Sequence, residues 1–84
     1  MLKNKDLKAV VLALAAANGT SGNENEAALL AKSMLEEYMP AHIDVLGSVC
    51  GDTGGDGVHI LLDAHIDRIG MTVTAVDDSG FIKF

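Results

Sequence analysis

Ala27, Leu30, Ala31, Met34, Leu35 and Tyr38 recur at the spacing of one helix face, and the pattern stops at Pro40. After Pro40 the apolar residues alternate or run together, as they do in strands. Proline disfavours helical geometry in the residue before it, so the helix must end there. The chain is therefore divided into a helical half and a β half. Leu7, Val10, Val11 and Leu14 add a second stripe at i, i+3, i+4 and i+7, which predicts a first helix over about Lys5 to Ala17. Asn18-Gly19 follows, and a glycine there is expected to end the helix in the left-handed conformation. Between the helices, Ser21 with Glu24, and Asn23 with Glu26, both have capping-box spacing. Met34 and Met39 read as core filling.

The β half is punctuated by glycine. Ile43 to Leu46 and Ser48 to Cys50 flank Gly47, and Gly51 to Gly57 forms a glycine- and aspartate-rich loop. That loop lacks the lysine of a phosphate-binding loop and leads into no helix, so it reads as a solvent-exposed hairpin turn. Val58 to Leu62 is a nearly continuous apolar run, expected to be a strand buried on both faces. Ile69 to Val76 alternates, Asp77-Asp78-Ser79-Gly80 is a turn, and Phe81 to Phe84 opens another strand. A chain ending on such a strand exposes an edge, and is expected to be a piece of a longer protein. The fold class is α/β, with two N-terminal helices followed by β-strands.

Composition narrows the function. With 84 residues there is room for one small domain, burying only about 60% of its unfolded surface. A net charge of −6 and six scattered basic residues argue against nucleic acid as a partner. Cys50 stands alone, so no internal disulfide forms and a reducing compartment fits. Met1 to Gly19 has a leader-like order, with Lys3, Lys5 and Lys8 before an alanine-rich stretch ending Ala15-Ala16-Ala17. The amphipathic spacing and Asp6 favour a retained helix instead. The apolar stretch is too short for a membrane span.

His65 and Asp67 follow directly on the apolar run. In extended backbone, residues two apart project to the same side, so the Asp67 carboxylate can lie beside the His65 imidazole. A metal-binding histidine commonly donates its other ring N–H to such a carboxylate, which fixes its tautomer. Taken alone the pair also describes a hydrogen-bonded strand end. His42 and His59 do not complete a metal cluster with it, and Asp63 shares its face only if the strand continues.

The ordered set Gly19-Thr20-Ser21-Gly22-Asn23-Glu24, Asp44-Val45-Leu46-Gly47, Ala64-His65-Ile66-Asp67-Arg68-Ile69-Gly70 and Asp78-Ser79-Gly80-Phe81 resembles the N-terminal stretch of the tetrahedral aminopeptidases, the glutamyl aminopeptidase and cellulase-M-like family. The resemblance spans essentially the whole chain. It implies an incomplete piece of an α/β metallopeptidase catalytic domain, cytoplasmic, with the first helix retained. It implies two divalent metal ions, zinc or cobalt, bridged by an aspartate and a water. His65 would be one metal ligand and Asp67 would hold its imidazole; at most one ligand is supplied here, and the other ligands and the glutamate base lie downstream. Residues 1–69 would belong to the catalytic domain, and residues 70–84 would open an inserted β-rich dimerisation domain. Peptides are the implied substrates, attacked by metal-activated water. Full-length relatives form homo-oligomers, whereas this segment alone is expected to be inactive.

Two residues depart from the family pattern. Arg68 stands where glutamate is common, which places a cation near the expected metal centre unless it points away, and Ser48 stands where asparagine is favoured. A second function class, a non-catalytic α/β module that keeps the scaffold without the site, therefore stays open. A glycosidase is disfavoured because no paired carboxylates stand at sugar-cleaving spacing.

Overall fold

The computed structural model describes residues 4–84, with side chains described from Asp6 onward. Met1 and Lys3 of the leader-like reading lie outside the described residues, as does the side chain of Lys5. Two helices, α1 (Asn4–Ala16) and α2 (Asn25–Leu35), precede four short strands, β1 (Ala41–Ile43), β2 (Val49–Gly51), β3 (Ala75–Val76) and β4 (Ile82–Lys83). The strands form two separate antiparallel hairpins, β1 with β2 and β3 with β4. This is a small α/β piece with its helices first, as the change of period at Pro40 requires.

Small residues let the helices approach. Ala17, Ala27 and Ala28 are the buried apolar residues among those described, and Gly19 is buried beside them. A Cβ on Gly19 would sit 3.4 Å from the Ala27 Cβ, so the chain turns from α1 to α2 in contact with α2 itself. The Asn18 carbonyl accepts from the Ala27 amide (3.3 Å), which satisfies one of the N–H groups that the start of α2 leaves unpaired. Further along α2, Leu30, Ala31, Met34 and Leu35 are half-buried where the helix packs on β1 and β2. Tyr38, the last residue of the stripe, is exposed beyond the end of the helix.

Both helix ends differ from the sequence expectation. Gly19 is not in the left-handed region, and α1 is instead closed by a side chain from far along the chain, described below. Neither capping box forms. Glu24 is the N-cap residue of α2 without a side-chain cap, and its carboxylate turns back to accept from the Gly22 amide at 2.8 Å. With Gly22 at φ 83°, that nearby amide is the one aimed at the carboxylate.

The hairpins share one turn chemistry. Asp44 Oδ1 accepts from the amides of Leu46 and Ser48, each at 2.9 Å, and Asp77 Oδ1 accepts in the same way from Ser79 and Phe81. Gly47 (φ 87°) and Gly80 (φ 84°) take the left-handed position of each turn, where a Cβ would be strained. The two turns are the same Asp-x-x-Gly device, used twice.

Val58 to Leu62 departs most from the sequence reading. The run joins no ladder, and Val58, Leu61 and Leu62 are each about nine-tenths exposed. A buried strand needs neighbours on its edges and faces, and among the described residues the short hairpins pair only within themselves. For the same reason the loop before it closes no hairpin, and Ile69 to Val76 is strand only at its last two residues. The molecule is open. Its radius of gyration is 16.9 Å, against about 12 Å for a compact chain of this length. Among the described residues no helix is long and apolar enough to cross a membrane.

Candidate metal-ligand site

His65 and Asp67 lie where two clefts meet. The larger, about 550 Å³, runs between the inner face of α2 and the β1–β2 turn, with Glu24, Asp63 and Ser48 on its wall. The smaller, about 370 Å³, is bordered by Thr20, Ser21, Arg68 and Thr72. His65 and Asp67 line both. The sequence offers Ser21 and Glu24 only as a capping box and Thr72 only as part of an alternating run; Ser21 and Glu24 come to the site because the linker between the helices folds over the segment from His65 to Gly70.

The two side chains share one side of the backbone. His65 Nδ1 stands 3.1 Å from Asp67 Oδ1 and 3.0 Å from the Asp67 backbone oxygen. Both partners are acceptors, so Nδ1 carries the proton, and in the neutral ring Nε2 keeps its lone pair. The imidazole side chain is 85% exposed, which leaves that lone pair open to a ligand. An exposed pair of this kind adds little to stability; what it provides is orientation.

The other candidates stay apart. His42 sits on β1 opposite Cys50, and His59 lies in the unpaired apolar run. Among the described residues no group of three or more His, Cys, Asp or Glu is placed to hold a metal ion. The residues present thus fit one ligand with its orienting carboxylate, and not a complete metal site.

Arg68 is turned to the helices. Its Nη1 donates to the Ala15 carbonyl, its backbone N–H donates to the Gly19 carbonyl at 2.8 Å, and it forms a parallel bridge with Thr20. The concern over a cation at this position has its answer there, because the guanidinium is engaged at the carboxyl end of α1.

Comparison with known proteins locates the pair within a family. Residues 47–84, which include His65 and Asp67, match the M42 glutamyl aminopeptidase family. Residues 47–84 are M42-family sequence. Over 70 residues, 79% of this chain, it is 37% identical to a protein of Acetivibrio thermocellus named as an aminopeptidase, covering 20% of that protein. Over 72 residues, 84% of this chain, it is 33% identical to the protein named as aminopeptidase FrvX of Escherichia coli, again covering 20% of it. A protein of Pyrococcus abyssi named as a hydrolase of LysW-lysine and LysW-ornithine is 46% identical over 50 residues, 58% of this chain and 15% of its own length. The chain thus spans about a fifth of the length of the two aminopeptidase-named relatives. No solved structure matches it significantly.

Proposed function

We propose that this chain is the N-terminal segment of a metal-dependent aminopeptidase that removes amino-terminal residues from peptides, and that it contributes one metal ligand, His65, held in place by Asp67. The observation that carries this reading is His65 Nδ1 facing two acceptor oxygens of Asp67, with the opposite side of the ring open. A metal-binding imidazole needs that arrangement, in which one nitrogen is fixed as a donor and the other is free.

Two divalent ions, zinc or cobalt, are the cofactors of the whole enzyme on this reading. When bound, they supply Lewis acidity and a water that ionises near neutral pH. Within this chain, His65 holds its Nε2 lone pair toward the site. Asp67 keeps the tautomer and ring plane, and the flanking clefts leave room for an extended peptide. Residues 1–69 belong to the catalytic domain and residues 70–84 begin an inserted β-rich domain. The full-length protein works in the cytoplasm as a homo-oligomer, where the lone Cys50 stays reduced.

The reading is tested with aminoacyl-nitroanilide substrates. The 84-residue chain should give no turnover with any divalent metal, since it lacks the groups that activate water. In the full-length protein His65→Ala should abolish turnover, and Asp67→Ala should weaken metal binding about 10–100-fold. Full activity in the His65→Ala protein would overturn the assignment, and His65-dependent turnover by the 84-residue chain would overturn its incompleteness.

A further inference from the structure

We propose that Arg68 is a positioning residue for the His65–Asp67 pair, aiming the Asp67 carbonyl at the imidazole through the peptide unit that joins Asp67 to Arg68. The proposal rests on His65 being the metal ligand and adds to it a residue that neither spacing nor family pattern indicates.

One planar group links the two contacts. The Asp67 carbonyl and the Arg68 N–H belong to the same trans peptide, so they point in opposite directions and turn as a rigid unit. The N–H end is fixed on the Gly19 carbonyl at 2.8 Å. The C=O end lies 3.0 Å from His65 Nδ1. Holding one end therefore aims the other. Rotation of this unit would carry the carbonyl away from the imidazole and disturb the carboxylate that accepts from the same nitrogen at 3.1 Å.

The Arg68 side chain fixes the unit from the other side. It donates to Ala15, 53 residues away in sequence, at the end of α1. The last carbonyls of a helix have no intrahelical partner and carry the negative end of its dipole, so a cation is favoured there. The last turn of α1 contains no basic residue, and Arg68 supplies one from outside. Gly70 completes the contact: a Cβ on it would lie 2.4 Å from the Thr20 Oγ1, so only glycine lets the segment lie this close to the linker. The need for an anchor is plain from the chain before it, because residues 58–66 have no strand pairing to fix their orientation.

The test uses ¹⁵N-labelled 84-residue chain, reading amide exchange at position 68 and the tautomer balance of neutral His65 from its ring nitrogens. Arg68→Ala should speed exchange at position 68 about tenfold, as loss of a charged anchor implies, and should shift His65 away from the Nδ1–H form. Arg68→Lys, which can still reach a carbonyl as a cation, should restore most of both. Unchanged exchange and tautomer in Arg68→Ala, or Arg68→Lys behaving like Arg68→Ala, would overturn the proposal. Zn²⁺ added to the unmutated full-length protein addresses the underlying reading separately. If Zn²⁺ leaves His65 Nε2 undisturbed there, the metal-ligand assignment fails, while the exchange and tautomer results still judge Arg68 on their own.

Discussion

Replacing Gly70 by alanine tests how closely the helix linker and the site segment are joined. The added Cβ would stand 2.4 Å from Thr20 Oγ1, 2.9 Å from its Cγ2 and 3.1 Å from its Cβ. Two of these approaches are closer than packed atoms tolerate, and threonine is β-branched and stiff, so its atoms cannot swing aside as a long side chain's would. Forcing extra atoms into such a contact costs about 1–3 kcal/mol. Gly70 is not in the left-handed region, so alanine fits its backbone, and the lower entropy of the unfolded chain returns about 0.4–1 kcal/mol. The net loss is about 1–2 kcal/mol, a factor of about 5–30 in local opening. Amide exchange at Arg68, two residues away and bonded to Gly19, reads that opening directly. Thr20→Ala removes the Oγ1 and Cγ2 overlaps and leaves only the 3.1 Å approach, so the double variant should recover about half of the loss or more. Unchanged protection in Gly70→Ala, or no recovery with Thr20→Ala, would refute the reasoning.

Other consequences can be checked on the same chain. Asp44→Ala removes the acceptor for two turn amides and should fray the β1–β2 hairpin, with a loss of about 1–2 kcal/mol read by exchange at Ser48. Asp44→Asn, which keeps a side-chain oxygen, should retain most of the protection. Gly80→Ala places a Cβ at φ 84° and should cost about 1–2 kcal/mol in the second hairpin, measured as loss of its cross-strand amide protection. Ile60→Lys with Leu62→Lys puts charge on an exposed apolar run, and light scattering should record less self-association while helix content by circular dichroism stays the same.

These outcomes follow the boundary between what is local in this chain and what is not. The α2 helix was legible because its stripe acts within a few residues, and the turn at Asp77 to Gly80 was legible because Asp, Gly and their amides are neighbours. At the first hairpin only the break at Gly47 was legible, since Ile43 to Leu46 reads as strand while β1 ends at Ile43 and Asp44 already belongs to the turn. The carboxyl end of α1 was not, because its partner is Arg68 rather than the adjacent Gly19. The Ser21–Glu24 capping box misled because two amides compete for one carboxylate, and the Gly22 amide, rather than that of Ser21, captured Glu24. Val58 to Leu62 misled for another reason. Apolar composition records a demand for burial, but burial also needs neighbouring strands, and none is present among the described residues. The pair His65 and Asp67 was legible because period-two geometry places the side chains together; the fixed peptide behind them depends on Gly19 and could not be read from spacing.

The central claim is that Asp67 fixes His65 so that Nε2 is free for a metal. A Zn²⁺ titration of the ¹⁵N-labelled chain, following the ring nitrogens of His42, His59 and His65 together, tests it most directly. The account predicts that His65 responds first and through Nε2, and that Asp67→Ala removes its lead over the other two. A response shared equally by all three histidines, or a lead for His65 that survives Asp67→Ala, would contradict it.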